Sequence, residues 1–261
     1  MLASVVWGTS DFIGGVVSRR VRPLVVVAVA HLIAGATIVI VAAATRSFGV
    51  ERGYLPWAIA AGAVGLVSLV AFYGALSTGK MGIVAPIAGT GAVVPVVYGL
   101  LHGESPSGWQ VAGIAAAVGG VVLASGPELS GRGGPDGGGS RPLVLALVAA
   151  LGFGAVFVLI EKASAHNVVM TLLTMRVTSV SIVALLGLGY VARRRQLGPS
   201  RHSGAGDSAA AQTGLRRRDL LPIAVIGWTD AGANGLYGLA TRHGLVSVSG
   251  DRARGPRGRA T

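Results

Sequence analysis

Apolar runs long enough to cross a lipid bilayer recur along almost the whole chain, and two of them carry the same internal pattern. Leu55-Pro56 leads to Tyr73-Gly74, and Leu221-Pro222 leads to Tyr237-Gly238. The runs are about 17–25 residues long, the length a helix needs to cross ~30 Å of hydrocarbon at ~1.5 Å per residue. Lipid offers backbone polar groups no partners, so each run must satisfy its own hydrogen bonds and is expected to be a helix. Charged residues make up only 12% of the chain and its mean hydropathy is +0.67, whereas a soluble domain carries about a quarter charged residues. The 42 glycines would weaken helices in water, but in lipid small residues let helices pack closely.

The expected fold class is an all-α membrane protein, a polytopic helical bundle of two inverted repeats. About eight spans are read: Met1–Val17, Pro23–Ala44, Leu55–Leu76, Ile83–Leu101, Gly108–Ser125, Pro142–Ile160, Val168–Ala192 and Leu220–Ala240. The Gly-rich stretch Gly126–Arg141 is too polar to span and reads as a linker between the halves. Arg193–Asp219, with an Arg triplet at each end, reads as a flexible loop. The division is therefore 1–125 for a first repeat, 126–141 for the linker, 142–248 for an incomplete second repeat and 249–261 for a basic non-membrane tail. His31 follows Pro23 by the interval at which Arg176 follows Val168, which makes His31 and Arg176 candidates for equivalent positions. Internal duplication of this kind is usual in secondary transporters.

The first half continues through two further spans after Tyr73-Gly74, but the text after Tyr237-Gly238 soon turns into an Arg-rich tail. Each Arg at mid-membrane costs about 2.5–3.5 kcal/mol on the insertion scale. The expectation is a chain that lost its last two helices by frameshift or early stop; downstream DNA that encodes no apolar pair in any frame would defeat it. The first span starts at Met1 with almost no lead-in, as if the true start lay upstream.

Ionisable residues inside spans are expensive and usually face a cavity or a partner. Asp11, Arg176 and Asp230 are of this kind. Asp11 or Asp230 is a candidate for proton coupling or substrate contact. For Arg176 two readings stand, binding of an anionic group or an ion pair with one Asp that holds two helices in register, and the second is preferred. Asp11 has the further structural reading of reaching interfacial water. Asp230 and Asn234 share a helix face, and Tyr237 extends that polar stripe while Trp228 points elsewhere. The stripe lines a substrate path or makes helix–helix hydrogen bonds. His31 is a cavity residue, a proton carrier or a hydrogen-bonded packing residue. Pro86 and Pro95 share one span, where each removes a backbone donor and favours a kink. Ala112, Ala116 and Gly120 form a small-residue face suited to packing within a protomer or in a homodimer. Trp57 and Trp109 read as interfacial anchors.

Val6-Trp7-Gly8-Thr9-Ser10 resembles the Trp-Gly-small signature early in the first helix of EamA-type transporters of the drug/metabolite transporter superfamily. Pro86 … Pro95 … Gly103-Glu104, followed by Trp109 … Gly113 … Gly119-Gly120, resembles that family's fourth and fifth helices. The resemblance runs over Leu2–Ser125, less closely over Pro142–Leu245, and fails from Gly250. It implies ten helices in two inverted repeats around a cavity opened alternately to each side, moving amino acids, sugars, nucleotide precursors or drugs. The substrate-cavity candidates are Trp7, Asp11, His31, Tyr73, Pro86, Arg176, Asp230, Asn234 and Tyr237.

The expected function is a plasma-membrane, multi-pass permease or exporter of small metabolites or drugs, with proton coupling as an option. The alternative is a truncated remnant that inserts without transporting. Expected partners are the lipid bilayer, a small-molecule substrate and a second copy of the chain, but no nucleic acid. The net charge of +12 comes from Lys and Arg in loops and tail, the membrane-protein arrangement. No P-loop, HExxH or GxSxG string is present, so neither ATP drive within the chain nor an enzyme is expected, and no metal site or cofactor. The string Gly204-Ala205-Gly206-Asp207 matches the GxGD of intramembrane proteases, but lies in a hydrophilic loop and is read as chance. Counting Lys and Arg by loop places the N-terminus outside; the resemblance implies a cytoplasmic N-terminus, which is the orientation adopted.

Overall fold

A computed structural model describes residues 2–49, 52–103, 140–196 and 214–252, together with 108–109, 112–113, 115–116, 119–120 and 123. Among the described residues there is no strand. The long helices are α1 (Leu2–Ser18), α2 (Pro23–Ala44), α3 (Leu55–Thr78), α4 (Met81–Gly89), α5 (Val93–Leu101), α6 (Ser140–Ser164), α7 (Val168–Gln196) and α8 (Arg217–Arg252). Five helical stretches are long and apolar enough to cross a membrane: Pro23–Ala44, Arg52–Thr78, Met81–Leu101, Ser140–Ser164 and Val168–Arg193. The chain is thus a polytopic helical membrane protein.

The ends of these helices follow from local chemistry. Pro23 and Pro56 sit in the first turns of α2 and α3, where a missing N–H is no loss and φ is already helical. Extended Gly79 stops α3, its N–H bonding Ala75 O at 2.7 Å. Gly103, at φ +85°, follows α5 in the left-handed region that suits glycine.

The expected fourth span is broken in two. Between α4 and α5 lies a 3₁₀ turn, Thr90–Ala92. Pro95, in the first turn of α5, cannot donate to the Gly91 carbonyl four residues back, and its ring crowds that carbonyl. The break therefore falls there, rather than at Pro86, which lies inside α4. Gly91 packs directly on the Ala150 carbonyl of α6, where a Cβ would collide.

Other expectations need correction. α8 is one helix well beyond Leu220–Ala240, yet it is not among the five most apolar stretches, because it carries Asp230 and Asn234, both buried. The loop read as Arg193–Asp219 is shorter at both ends: Arg193–Gln196 continue α7, and Arg217–Asp219 open α8. Asp219, 1% exposed at its side chain, accepts from Arg20 Nε at 2.8 Å and from the Arg216 N–H at 3.1 Å. The linker read as Gly126–Arg141 ends by Ser140, where α6 begins, and α8 runs to Arg252, inside the stretch read as tail. Half of the expected fifth span, residues 126–139 of the linker, residues 197–213 and residues 253–261 lie outside the described residues. Where the fifth span is described it is helical, with Trp109 90% exposed and Ala112, Ala116 and Gly120 also exposed.

In the bundle, α3 packs along α6 and α1 along α8, while α2 meets α7 and α8. Two glycines set the closest approaches. A Cβ on Gly62 of α3 would stand 2.6 Å from the Met175 carbonyl of α7, and one on Gly227 of α8 would collide with the Ala30 carbonyl of α2. Tyr73, Leu76, Ile160, Ile223 and Ile226 fill the interior, whereas Leu32, Ile40, Leu147 and Leu185 are exposed on the outside, as lipid contact permits.

Candidate substrate-binding site

A cavity of about 360 Å³ opens inside the bundle, walled by side chains from α1, α2, α3, α4, α6, α7 and α8. Its polar wall is built from residues far apart in sequence. α2 supplies His31, α7 supplies Arg176, and α8 supplies Asp230 and, one turn on, Asn234.

Arg176 Nη2 donates to Asp230 Oδ2 at 2.7 Å. Arg176 Nη1 lies 2.8 Å from His31 Nε2. A guanidinium can only donate, so His31 Nε2 is the acceptor and the ring proton sits on Nδ1. The 4.0 Å approach of His31 to Asp230 is then a contact beside the Arg, not an ion pair. Asn234 Nδ2 donates to the Asp230 carbonyl at 2.8 Å and to Asp230 Oδ1 at 3.2 Å. Both carboxylate oxygens of Asp230 are thereby engaged. The His31, Arg176, Asp230 and Asn234 side chains are buried, and Arg176 Nε and His31 Nδ1 are buried without a partner among the described residues. A charge pair this deep costs several kcal/mol per ion to desolvate and is kept only if its geometry repays that.

The opposite character comes from α1. Trp7 and Asp11 lie one turn apart on it, and both line the cavity. Trp7 is held against Phe157 at 5.2 Å and Tyr237 at 6.0 Å between ring centroids. Phe12, Phe72, Phe153 and Phe157 complete an aromatic lining. Between Trp7 and Asp11, a Cβ on Gly8 would meet nothing within 4 Å.

Of the candidates read from sequence, Trp7, Asp11, His31, Arg176, Asp230 and Asn234 stand on the cavity wall. Three do not. Tyr73 is fully buried behind it, its ring packed on the backbone of Gly14 and its hydroxyl without a partner among the described residues. Pro86 gives way to its helical neighbours Ala85, Ala88 and Gly89. Tyr237 shares the face of Asp230 but lies two turns, roughly 10 Å, further along the axis, where it stacks on Phe157 at 5.1 Å. Trp228, 50% exposed, donates from Nε1 to Thr37 Oγ1 at 3.0 Å. Trp57 sits at a span end with Lys162 Nζ 5.3 Å above its ring.

The aromatic lining and Ser179 were not foreseen. In helices apolar all round, no periodicity marks which face meets a cavity. Ser179 Oγ bonds the Gly62 carbonyl at 2.9 Å, a contact only the close approach of α3 and α7 creates.

Residues 1–126 match the EamA-like transporter family. No curated protein matches the chain. Four solved chains match its fold; one crystal structure is 16% identical, with 98% of this chain and 90% of that chain covered at a TM-score of 0.51. At that identity the likeness speaks for the fold alone. Over residues 1–126 the chain is thus similar to the EamA-like transporter family, and its apolar helices make it an integral, multi-pass membrane protein.

Proposed function

We propose that this chain is a permease for small metabolites or drugs, sited in the plasma membrane, whose substrate occupies the central cavity by alternating access. The observation that carries the reading is the cavity itself: polar and charged groups gathered from α1, α2, α7 and α8 inside an otherwise apolar bundle. Lipid-facing packing has no use for such groups, and intramembrane ionisable residues mark substrate and ion paths by default. Binding sites at the meeting of two repeats are usual in secondary transporters.

The two-repeat organisation is part of this proposal. His31 and Arg176, at equivalent positions of the two halves, are hydrogen-bonded to each other, as residues close to a twofold axis would be. The neighbouring positions agree with that. Gly62 of α3 abuts Met175 of α7, and Gly227 of α8 abuts Ala30 of α2.

Proteoliposomes loaded with a defined mixture of amines, amino acids, nucleosides and sugars test the function, with efflux followed by mass spectrometry. The full chain should speed release of at least one class over protein-free liposomes. Release indistinguishable from protein-free liposomes for every solute contradicts the proposal.

A further inference from the structure

The cavity holds two carboxylates of very different standing, and the difference bears on what it binds. Asp230 is neutralised by Arg176 at 2.7 Å and capped by Asn234. Asp11 lines the same cavity with no hydrogen-bond or ion-pair partner among the described residues. The cation of the wall is engaged at both terminal nitrogens, and His31 is held as an acceptor by Arg176. With one Arg set against one Asp, the Asp11 carboxyl is left without a counter-charge on the wall.

We propose that the cavity takes an organic cation, its positive nitrogen seated on the Asp11 carboxylate and its apolar body lying against Trp7 and Phe12. This inference rests on the permease reading and names its substrate class. The chemistry of the lining selects it. A half-buried carboxylate facing an apolar cavity without a partner is costly, and a substrate cation supplies what is missing. Aromatic faces attract ammonium groups, Trp most strongly, and more so when water is excluded. Trp7 is fixed for that role by its contacts with Phe157 and Tyr237, and the open space over Gly8 leaves room beside Asp11. A bare metal ion would ask for several oxygen ligands, whereas this side of the cavity presents rings. A substrate anion would find both terminal nitrogens of Arg176 already occupied, with only Nε open.

The test uses the purified full chain in lipid nanodiscs and three probes of similar size: benzyltrimethylammonium, phenylacetamide and phenylacetate. A ligand that binds the folded state raises the melting temperature. Benzyltrimethylammonium should raise it in a saturable way, with an apparent Kd at least roughly tenfold below that of either other probe. Asp11→Asn should weaken the cation by roughly tenfold or more, while Asp11→Glu retains it. Equal or greater stabilisation by phenylacetate or phenylacetamide overturns the proposal. So does a cation affinity in Asp11→Asn that matches the unmodified chain. Should Asp11→Asn fail to fold, the ranking of the three probes on the unmodified chain decides alone. The two readings fail separately. Efflux of neutral or anionic solutes from proteoliposomes without cation binding removes the substrate class and keeps the permease. Cation binding without efflux of any solute removes the permease and keeps the site.

Discussion

The two sides of the cavity use the same residue type to opposite ends. On the side of α7 and α8, Asp230 has both oxygens engaged: Arg176 at one, Asn234 at the other, with His31 taking the second terminal Arg nitrogen. On the side of α1, Asp11 faces the same space with no such partner among the described residues. A paired carboxylate ties helices together, and an open carboxylate waits for a ligand. Intramembrane charge alone therefore does not separate structural from functional residues; the count of partners does.

The sharpest way to break this contrast is Arg176→Ala. It leaves Asp230 buried and unpaired, and removing one partner of a buried pair costs about 3–5 kcal/mol. Unfolding in detergent should show that loss, and Arg176→Met combined with Asp230→Leu should recover much of it. A loss from Arg176→Ala no larger than that of a lipid-facing change would mean the Arg176–Asp230 pair does not tie the helices together. Asp230→Asn ranks next. It keeps the shape and forfeits the charge-assisted bond, at about 1.5–3 kcal/mol, read in the same unfolding assay. His31→Phe should cost about 1–2 kcal/mol, because it deprives Arg176 Nη1 of its acceptor in a membrane setting. Asp11→Asn is expected at the bottom of the scale, within about 0.5 kcal/mol of the unmodified chain or above it, since no partner is lost. Destabilisation by Asp11→Asn equal to that of Asp230→Asn would erase the difference between the two walls.

How far these features could be read from the sequence depended on whether their cause was local. The start and end of α2 coincide with the apolar run Pro23–Ala44, because a proline opens the helix and the apolar text simply runs out. The pairing of Asp230 with Asn234 follows from their spacing of one helical turn. The break at Thr90–Ala92 was half visible: the prolines announced a distortion, but its position depended on which carbonyl each proline orphans. The extension of α7 through its Arg residues went against a reading based on charge, since a helix can continue past the membrane edge once its end meets water. The bond between His31 and Arg176 joins residues 145 positions apart, and only their equal spacing from the starts of two expected spans hinted at it. The aromatic wall was not legible at all, because Phe72 and Phe153 sit in helices whose every face is apolar.

The absence of cysteine from the chain permits one measurement that bears most directly on the central claim, that this cavity is a path reached from both sides of the membrane. Gly8→Cys places a single thiol on the cavity wall, where the added Cβ meets no neighbour within 4 Å. A membrane-impermeant maleimide should label it in right-side-out vesicles and also in inside-out vesicles. Labelling confined to one orientation, or to neither, would contradict the account.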